Sequence, residues 1–198
     1  EMCIRDSVGY ILLNFVSEVS NMLSRIQDWD NRMLDRISKL RTKRLNKIMV
    51  GATTIGNSGL VWFVLAIALL PFQKYRTSGI AIIIAIIVSW LCGEVTIKNI
   101  VGRVRPCHKV SEDQLLIKNP PHYSFPSGHT TSSFAATTVM FFMHPILAIP
   151  MLFLAALIAF SRTYLLVHYI TDVLAGVALG IITGCIVVPV IYLSLIHI

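Results

Sequence analysis

The carboxyl-terminal part of the chain is almost free of charged residues. From residue 119 to residue 198, the only Asp, Glu, Lys or Arg residues are Arg162 and Asp172. This pair is flanked by two segments apolar enough to lie in a bilayer, MLFLAALIAF and VLAGVALGIITGCIVVPVIYL. Over the whole chain 14% of residues are charged, whereas a typical soluble domain has about 25%. The chain is therefore predicted to be a polytopic membrane protein with lipid as its solvent.

Five apolar stretches have about the 20 residues that a helix needs to cross a bilayer. They predict an all-α membrane bundle with spans at about 46–71, 79–98, 127–143, 146–163 and 169–193. A polar break, Gly56–Gly59, interrupts the first span, and a polar loop follows the second as far as about residue 125. His144 and Pro145 form a turn between the third and fourth. Glycines four residues apart in the fifth predict close helix packing: Gly176, Gly180 and Gly184.

An amphipathic helix is predicted upstream of these spans. Its apolar residues recur every three to four positions: Met22, Ile26, Trp29, Met33, Ile37 and Leu40. The opposite face is largely basic, and eight Lys or Arg residues lie between Arg25 and Lys47. This pattern is typical of a helix in the membrane interface, and it favours anionic lipid rather than nucleic acid as the partner. The alternative is a solvated helix packed on a partner.

The length of the chain predicts a single domain, residues 8–193. Residues 1–7 and 194–198 are expected to be non-native ends, because they resemble translated adapter sequence. The four cysteines show no paired spacing and predict neither a disulfide nor a zinc site: Cys3, Cys92, Cys107 and Cys185. The sequence indicates no oligomeric state.

Alternating hairpins are expected to bring six polar side chains to one side of the membrane. Each lies near the end of a predicted span: Lys98, Arg105, His129, Arg162, His168 and Asp172. Polar groups at membrane depth are costly and are usually functional. Their convergence on one face predicts a site.

Three members of this group are cations with no acidic excess nearby: Lys98, Arg105 and Arg162. Such a cluster predicts a dianion as ligand, and phosphate matches guanidinium geometry. Pro126–His129, the tetrapeptide PSGH, lies where a loop becomes a helix, so free backbone N–H groups favour an anion there. Gly128 lets the backbone come close to the anion, and Ser127 offers a hydroxyl.

His168 and Asp172 are four residues apart and are predicted to share a helix face. Asp172 can accept the proton on one ring nitrogen of His168, which leaves the other nitrogen as a nucleophile. His129 is then free to protonate a leaving oxygen. Each residue alone has an ordinary explanation, such as a packed histidine or an interface anchor. Their convergence favours catalysis.

Three motifs make the sequence resemble the type 2 phosphatidic acid phosphatase superfamily of membrane lipid phosphatases. The first, a lysine, six residues and Arg-Pro, is matched by KNIVGRVRP at Lys98–Pro106. PSGH is matched at Pro126–His129, and SRTYLLVHYITD at Ser161–Asp172 matches Ser-Arg, five residues, His, three residues and Asp. The resemblance extends over roughly residues 22–193. The span pattern is similar to that of small bacterial members, which include undecaprenyl pyrophosphate phosphatases.

The resemblance implies hydrolysis of a lipid phosphate or pyrophosphate through a phosphohistidine, without a metal or another cofactor. His168 would attack phosphorus in line, and Asp172 would orient it. His129 would protonate the leaving group and then assist water. Five residues would hold the phosphoryl oxygens: Lys98, Arg105, Ser127, Gly128 and Arg162. Undecaprenyl pyrophosphate is the leading substrate by analogy, followed by phosphatidylglycerophosphate and phosphatidic acid.

Other classes of protein fit the sequence less well. An anion transporter would have no need of the His168–Asp172 pair, and a catalytically silent scaffold would not need an intact nucleophile and acid. A vanadate-dependent haloperoxidase has a similar oxyanion pocket but no need of five lipid-seeking spans. Glu94 is interpreted as a structural partner of Lys98 or Arg103, and Arg103 as a headgroup contact or an anchor.

Two arguments predict opposite sides of the membrane for the site. More Lys and Arg residues lie on the site's side than on the other, where the loops carry only Lys74 and Arg76. The positive-inside rule alone therefore places the site in the cytoplasm. The family resemblance implies an extracytoplasmic site, and the site's own cations serve phosphate rather than topology. We therefore expect a multi-pass protein of the cell membrane with its catalytic face outside.

Overall fold

The computed structural model describes residues 2–111, 115–121 and 123–196, and these residues form helices, turns and loops without a strand. The all-α prediction is confirmed. Of the predicted non-native ends, residues 1, 197 and 198 lie outside the described ranges. The α-helices of the described chain are α1 Met2–Ser38, α2 Lys43–Ile55, α3 Leu60–Leu69, α4 Gln73–Trp90, α5 Lys98–Val101, α6 Gly128–Met143, α7 Pro145–Tyr164 and α8 Ile170–Ile196.

The helices correspond to the predicted spans, but they differ in length. In the described part of the chain, three segments are long and apolar enough to cross a membrane: Gln73–Lys109, Pro145–Tyr164 and Ile170–Ser194. Helices α2 and α3 form a fourth if they are taken as one span, bent by 43° at the predicted polar break. Helix α6, the third predicted span, has 16 residues. Its length of about 24 Å is less than the ~30 Å of a bilayer core.

Helix α6 lies at the centre of the bundle, where it contacts α3, α4, α7 and α8. Its closest neighbour is α8. A Cβ added to Gly180 would lie 2.6 Å from the carbonyl oxygen of Thr131, and one added to Gly184 would lie 2.6 Å from Thr138 Cβ. Only glycine fits so close to the neighbouring helix at these two positions. The close packing predicted from the glycine spacing is confirmed.

The predicted amphipathic helix is the second half of α1, and it packs on α7 and α8. Asp30, Leu34 and Ile37 are buried on the packed face, although Ile37 was predicted to face lipid. Four other residues of the predicted apolar face stay exposed: Met22, Ile26, Trp29 and Leu40. The helix therefore contacts the bundle on one side and keeps an apolar stripe beside that contact.

The two ends of the bundle differ in character. At one end the turn between α3 and α4 meets the turn between α6 and α7, and the rings of Tyr75 and His144 lie 4.8 Å apart. At the other end α5 and α7 finish while α6 and α8 begin. This second end is where the predicted polar residues lie.

Candidate active site

A pocket of about 480 Å³ opens at this second end of the bundle. Six of the eight predicted site residues line it: Lys98, Arg105, Gly128, His129, Arg162 and His168. The other two, Ser127 and Asp172, are fully buried and lie behind its wall. Residues that are far apart in the sequence are therefore brought together in one cavity.

The cations of the pocket are almost completely buried. Their exposed fractions are 3% for Lys98, 4% for Arg105 and 4% for Arg162. Lys98 Nζ lies 2.5 Å from Glu94 Oε1, and Arg162 donates a hydrogen bond to the hydroxyl of Thr53. Burying three positive charges side by side is costly without a compensating anion. The pocket therefore has the electrostatics of an anion site.

Glu94 brings one carboxylate into this pocket. It lies in a π-helical stretch, Leu91–Ile97, which links α4 to α5 and is wider than an α-helix. A Cβ added to Gly128 would lie 2.2 Å from Glu94 Oε1, so the glycine leaves room for the carboxylate. Glu94 pairs with Lys98, which was one of its two predicted partners.

His168 lies in a strained turn between α7 and α8. Leu166 has a φ of 59°, in the left-handed region that leucine rarely adopts. Its side chain is buried and packs with Leu34 and Tyr169, which holds the turn in this conformation. The His168 N–H donates to the carbonyl oxygen of Arg162 at 3.2 Å. The turn thereby directs the imidazole into the pocket.

The contacts of His168 identify which ring nitrogen carries the proton. Arg105 Nη1 lies 3.0 Å from His168 Nε2, and since a guanidinium only donates, Nε2 must accept. A neutral imidazole then carries its proton on Nδ1, which faces Asp172 Oδ2 at 3.7 Å, longer than a hydrogen bond. The prediction that the pair shares a helix face is wrong, because His168 precedes α8, which begins at Ile170.

Asp172 is held in the first turn of α8 by two other partners. Its Oδ2 accepts from the N–H of Tyr169 at 2.8 Å, and its Oδ1 accepts from Arg103 Nη1 at 2.7 Å. Arg103 also pairs with Asp30 of α1, at 2.7 Å between Nη2 and Oδ2. The interpretation of Arg103 as a headgroup contact or an anchor is wrong, since its guanidinium bridges two buried carboxylates.

The start of α6 places Ser127 and His129 differently. His129 lines the pocket. Ser127 does not: its Oγ accepts from the Thr130 hydroxyl at 3.0 Å, and its N–H donates to the carbonyl oxygen of Asp172 at 3.0 Å. The Ser127 hydroxyl therefore accepts from α6 and keeps its own proton as a donor, while the backbone of Ser127 ties α6 to α8.

Sequence reasoning missed part of the pocket wall. The polar break of the first span lines the pocket through Asn57, Ser58 and Gly59. Ser58 and Gly59 have φ values of 52° and 68°, which turn the chain between α2 and α3. The signal was a polar tetrapeptide within an apolar run, and it was interpreted only as an interruption. An apolar wall was also missed: Phe63, Ile86, Ile87 and Trp90.

The protonation state of His168 gives a first testable expectation. Burial lowers its pKa well below the ordinary value, and the positive charges of Arg162 and Arg105 lower it further. Both effects disfavour the imidazolium, so His168 stays neutral as pH falls through its usual range. At about pH 6 an unperturbed imidazole, with a pKa of about 6.5, would be mostly protonated.

We expect the ¹³Cε1 resonance of His168 in the ligand-free protein to keep its neutral position at that pH. The resonance is assigned by its loss in His168→Gln. A His168 signal that has moved to the imidazolium position at that pH would contradict the expectation.

A helical membrane bundle with a cationic, histidine-containing pocket at one end defines an integral membrane protein whose pocket is suited to an anion. Residues 77–195 match the family model described as the PAP2 superfamily, and the chain belongs to this superfamily. The resemblance inferred from the three motifs is thereby confirmed, and the matched residues include all three.

Two curated relatives show the range of the similarity. An undecaprenyl-diphosphatase of Sulfolobus acidocaldarius is 34% identical over 137 residues, which cover 69% of this chain and 66% of that protein. A decaprenylphosphoryl-5-phosphoribose phosphatase of Mycobacterium tuberculosis is 32% identical over 164 residues, 78% of this chain and 82% of that protein. The alignment thus spans just under two thirds of the first relative and most of the second.

Two solved structures have a similar fold. The PAP2-type phosphatidylglycerolphosphate phosphatase of Bacillus subtilis superposes with a TM-score of 0.68 at 27% identity, covering 82% of this chain and 84% of that one. Aquifex aeolicus LpxE superposes with a TM-score of 0.68 at 29% identity, covering 80% and 93%. Both similarities extend over most of the described bundle.

Proposed function

We propose that the chain is a membrane phosphatase that hydrolyses a lipid phosphate or diphosphate through a phosphohistidine intermediate. The observation that carries the proposal is the orientation of His168. Its Nε2 carries the lone pair and lies 3.0 Å from Arg105, in a pocket that Lys98 and Arg162 also line. A nucleophile with its lone pair beside three cations is suited to attack a bound phosphoryl group.

In the proposed reaction, His168 Nε2 forms a bond to phosphorus as the bond to the leaving oxygen breaks. His129 donates a proton to that oxygen, and Asp172 stabilises the Nδ1 proton of the charged imidazole. Water then attacks the phosphohistidine, with His129 accepting its proton, and inorganic phosphate leaves with His168 neutral again. Four groups hold the phosphoryl oxygens from the pocket wall: the side chains of Lys98, Arg105 and Arg162, and the backbone at Gly128. The backbone at Ser127 supports this wall from behind.

The shape of the pocket supports a lipid as the substrate. From the cationic end the cavity continues along an apolar wall, which includes Phe63, Ile87 and Trp90. Ile87 and Trp90 are 46% and 55% exposed on the outside of the bundle, where lipid would surround them. A phosphate joined to a hydrocarbon chain would place its charge at the histidines and its chain along this wall.

Undecaprenyl pyrophosphate is the leading substrate. Relatives include undecaprenyl-diphosphatases from Sulfolobus acidocaldarius and Bacillus subtilis, the second being BcrC. Phosphatidylglycerophosphate and phosphatidic acid are the alternatives, and a phosphatidylglycerophosphatase B of Bacillus subtilis is 27% identical over 171 residues. Measuring phosphate release from each lipid by the purified protein tests the proposal, and the ratios of kcat/KM rank the substrates. Release from none of them would overturn it.

We expect full activity in excess EDTA and inhibition by vanadate. Within the described residues, no group of three or more His, Cys, Asp or Glu side chains could hold a metal ion. The pocket instead offers cations and hydrogen-bond donors. These groups suit the trigonal-bipyramidal geometry of vanadate as a transition-state analogue. Phosphate release is measured with EDTA and with added Mg²⁺. Loss of activity on chelation that Mg²⁺ restores would contradict this expectation.

We further propose that the site faces the extracytoplasmic side. Thr77 lies near the start of the segment Gln73–Lys109, and Ser111 lies just beyond its end. The two positions therefore report on opposite sides of the membrane. In a background without native cysteines, we expect Ser111→Cys to be labelled by an impermeant maleimide in intact cells and Thr77→Cys to be protected. Both should be labelled after permeabilisation, which is the control for reactivity. The reverse pattern would place the site in the cytoplasm.

A further inference from the structure

Asp30 of α1 lies outside the family-matched residues 77–195, yet it joins the network behind the pocket. Its side chain is fully buried. Its Oδ1 accepts from the N–H of Thr171 at 3.1 Å, and its Oδ2 accepts from the hydroxyl of the same threonine. A second donor to Oδ2 is Arg103 Nη2, at 2.7 Å. A buried carboxylate needs such partners, and all of these belong to segments next to the site.

Arg103 connects Asp30 to the proposed catalytic pair. Its Nη1 donates to Asp172 Oδ1 at 2.7 Å, while its Nη2 is held by Asp30. The guanidinium also lies over the ring of Tyr169, 4.1 Å from the centroid. Because the guanidinium is a rigid plane, fixing one of its nitrogens fixes the direction of the other. Asp30 thereby determines how Asp172 presents its second oxygen to His168.

Helix α1 holds the same turn at a second point. Leu34, one helical turn after Asp30, packs with Leu166 and Tyr169. Leu166 is the residue with the left-handed backbone conformation that directs His168 into the pocket. A polar contact and an apolar contact from one face of α1 therefore act on the same segment, residues 166–172.

We propose that Asp30 is a positioning residue of the active site, acting through Arg103 and Thr171 on Asp172 and so on His168. Its kinetic consequence rests on the proposed function. Asp30 itself does not line the pocket. Without the charge of Asp30, Arg103 is drawn fully to Asp172. The carboxylate of Asp172 is then withdrawn from the Nδ1 proton of His168. Helix α1 is then part of the active site and not only a helix at the membrane surface.

The test compares Asp30→Asn with Asp28→Asn, which removes an exposed carboxylate from the same helix. Misplacing a catalytic group by about 1 Å can cost about a hundredfold in rate, so we expect kcat of Asp30→Asn to fall roughly ten- to a hundredfold. The inhibition constant of inorganic phosphate, a ground-state ligand of the three unchanged cations, should stay within about twofold. Asp28→Asn should keep wild-type kcat.

A second measurement does not depend on activity. The ¹³Cε1 resonance of His168 in ligand-free protein should shift in Asp30→Asn and stay in place in Asp28→Asn. If the wild-type protein releases no phosphate from any lipid but Asp30→Asn still shifts the His168 resonance, the proposed function is overturned and the positioning role is supported. Wild-type kcat together with an unshifted His168 signal in Asp30→Asn would overturn the positioning role alone. So would an inhibition constant for inorganic phosphate that rises as much as kcat falls, because that indicates general loosening of the fold.

Gln27→Met covers the case in which Asp30→Asn does not fold. Gln27 Oε1 accepts from Arg103 Nη2 at 2.9 Å, so this variant weakens the same hold on Arg103 without leaving a buried charge. We expect a smaller fall in kcat, of about a few-fold, with an unchanged inhibition constant for inorganic phosphate. An unchanged kcat and an unshifted His168 resonance in Gln27→Met would overturn the proposal.

Discussion

Replacement of His168 by alanine is expected to lower the turnover of lipid phosphate by roughly 10⁴-fold or more, the scale on which enzymes lose activity with their nucleophile. The imidazole is fully enclosed, its Nε2 accepts from Arg105, and its Nδ1 faces Asp172. The remaining cations would still bind the substrate, but no group would be left to attack phosphorus. The measurement is phosphate release by the purified protein, with His108→Ala, an exposed histidine on the same side, as the matched control.

The same variant tests the intermediate. Rapid quench of the wild-type protein with ³²P-labelled substrate should trap a phosphoenzyme that is labile in acid and stable in base, as a phosphohistidine is. His168→Ala should form none, while its thermal unfolding in detergent remains close to that of the wild type. An acid-stable phosphate on Ser127, or near-normal turnover by folded His168→Ala, would show that the nucleophile is assigned wrongly.

Replacement of His129 by alanine is expected to slow phosphoenzyme formation from lipid phosphate by about 10²- to 10⁴-fold, the usual contribution of a general acid. His129 lines the pocket at the start of α6, together with His168. An alkoxide leaving group needs a proton, whereas a nitrophenolate leaves without one. The burst phase with p-nitrophenyl phosphate should therefore be affected far less than the reaction with lipid.

His129 has a second proposed role that separates it from a residue that only binds. Because it also accepts a proton from the attacking water, His129→Ala should complete a burst with p-nitrophenyl phosphate and then stall as the phosphoenzyme. Two results would exclude His129 as the acid and base. One is an equal loss of burst rate with both substrates, and the other is a burst followed by steady-state turnover at the wild-type rate.

The sequence predicted the pocket residues because of where they are found. Arg162 and His168 are polar residues in an apolar region, and the PSGH element marks a helix start. Both features can be recognised in the sequence without a structure. The turn that carries His168 could not be predicted in the same way. It depends on Leu166 in a left-handed conformation, and that conformation is maintained by contacts with a helix more than 100 residues earlier in the chain.

Asp30 was missed although the sequence carried a signal for it. It lies four residues after Ile26 and four before Leu34, within an apolar stripe of α1. An acidic residue on such a stripe indicates a buried partner of opposite charge. The sequence pattern alone does not distinguish it from the neighbouring acids Asp28 and Asp35, which are exposed. Its partner Arg103 was equally inconspicuous, because several cations follow the second span and only packing determines which one turns inward.

The seam between α6 and α8 and the wall formed by α3 and α4 leave very different freedom for substitution. At the seam a single added methyl group would meet backbone atoms at less than 3 Å, at Gly176 and at Gly180, so any change there would move His129 relative to His168. On the wall, Phe63 and Trp90 border the cavity without joining that seam. Changes in these side chains can reshape the space for a hydrocarbon chain while the histidines stay in register. One catalytic frame can in this way diversify toward different lipids through its α3–α4 side, and redesign of substrate preference should begin there.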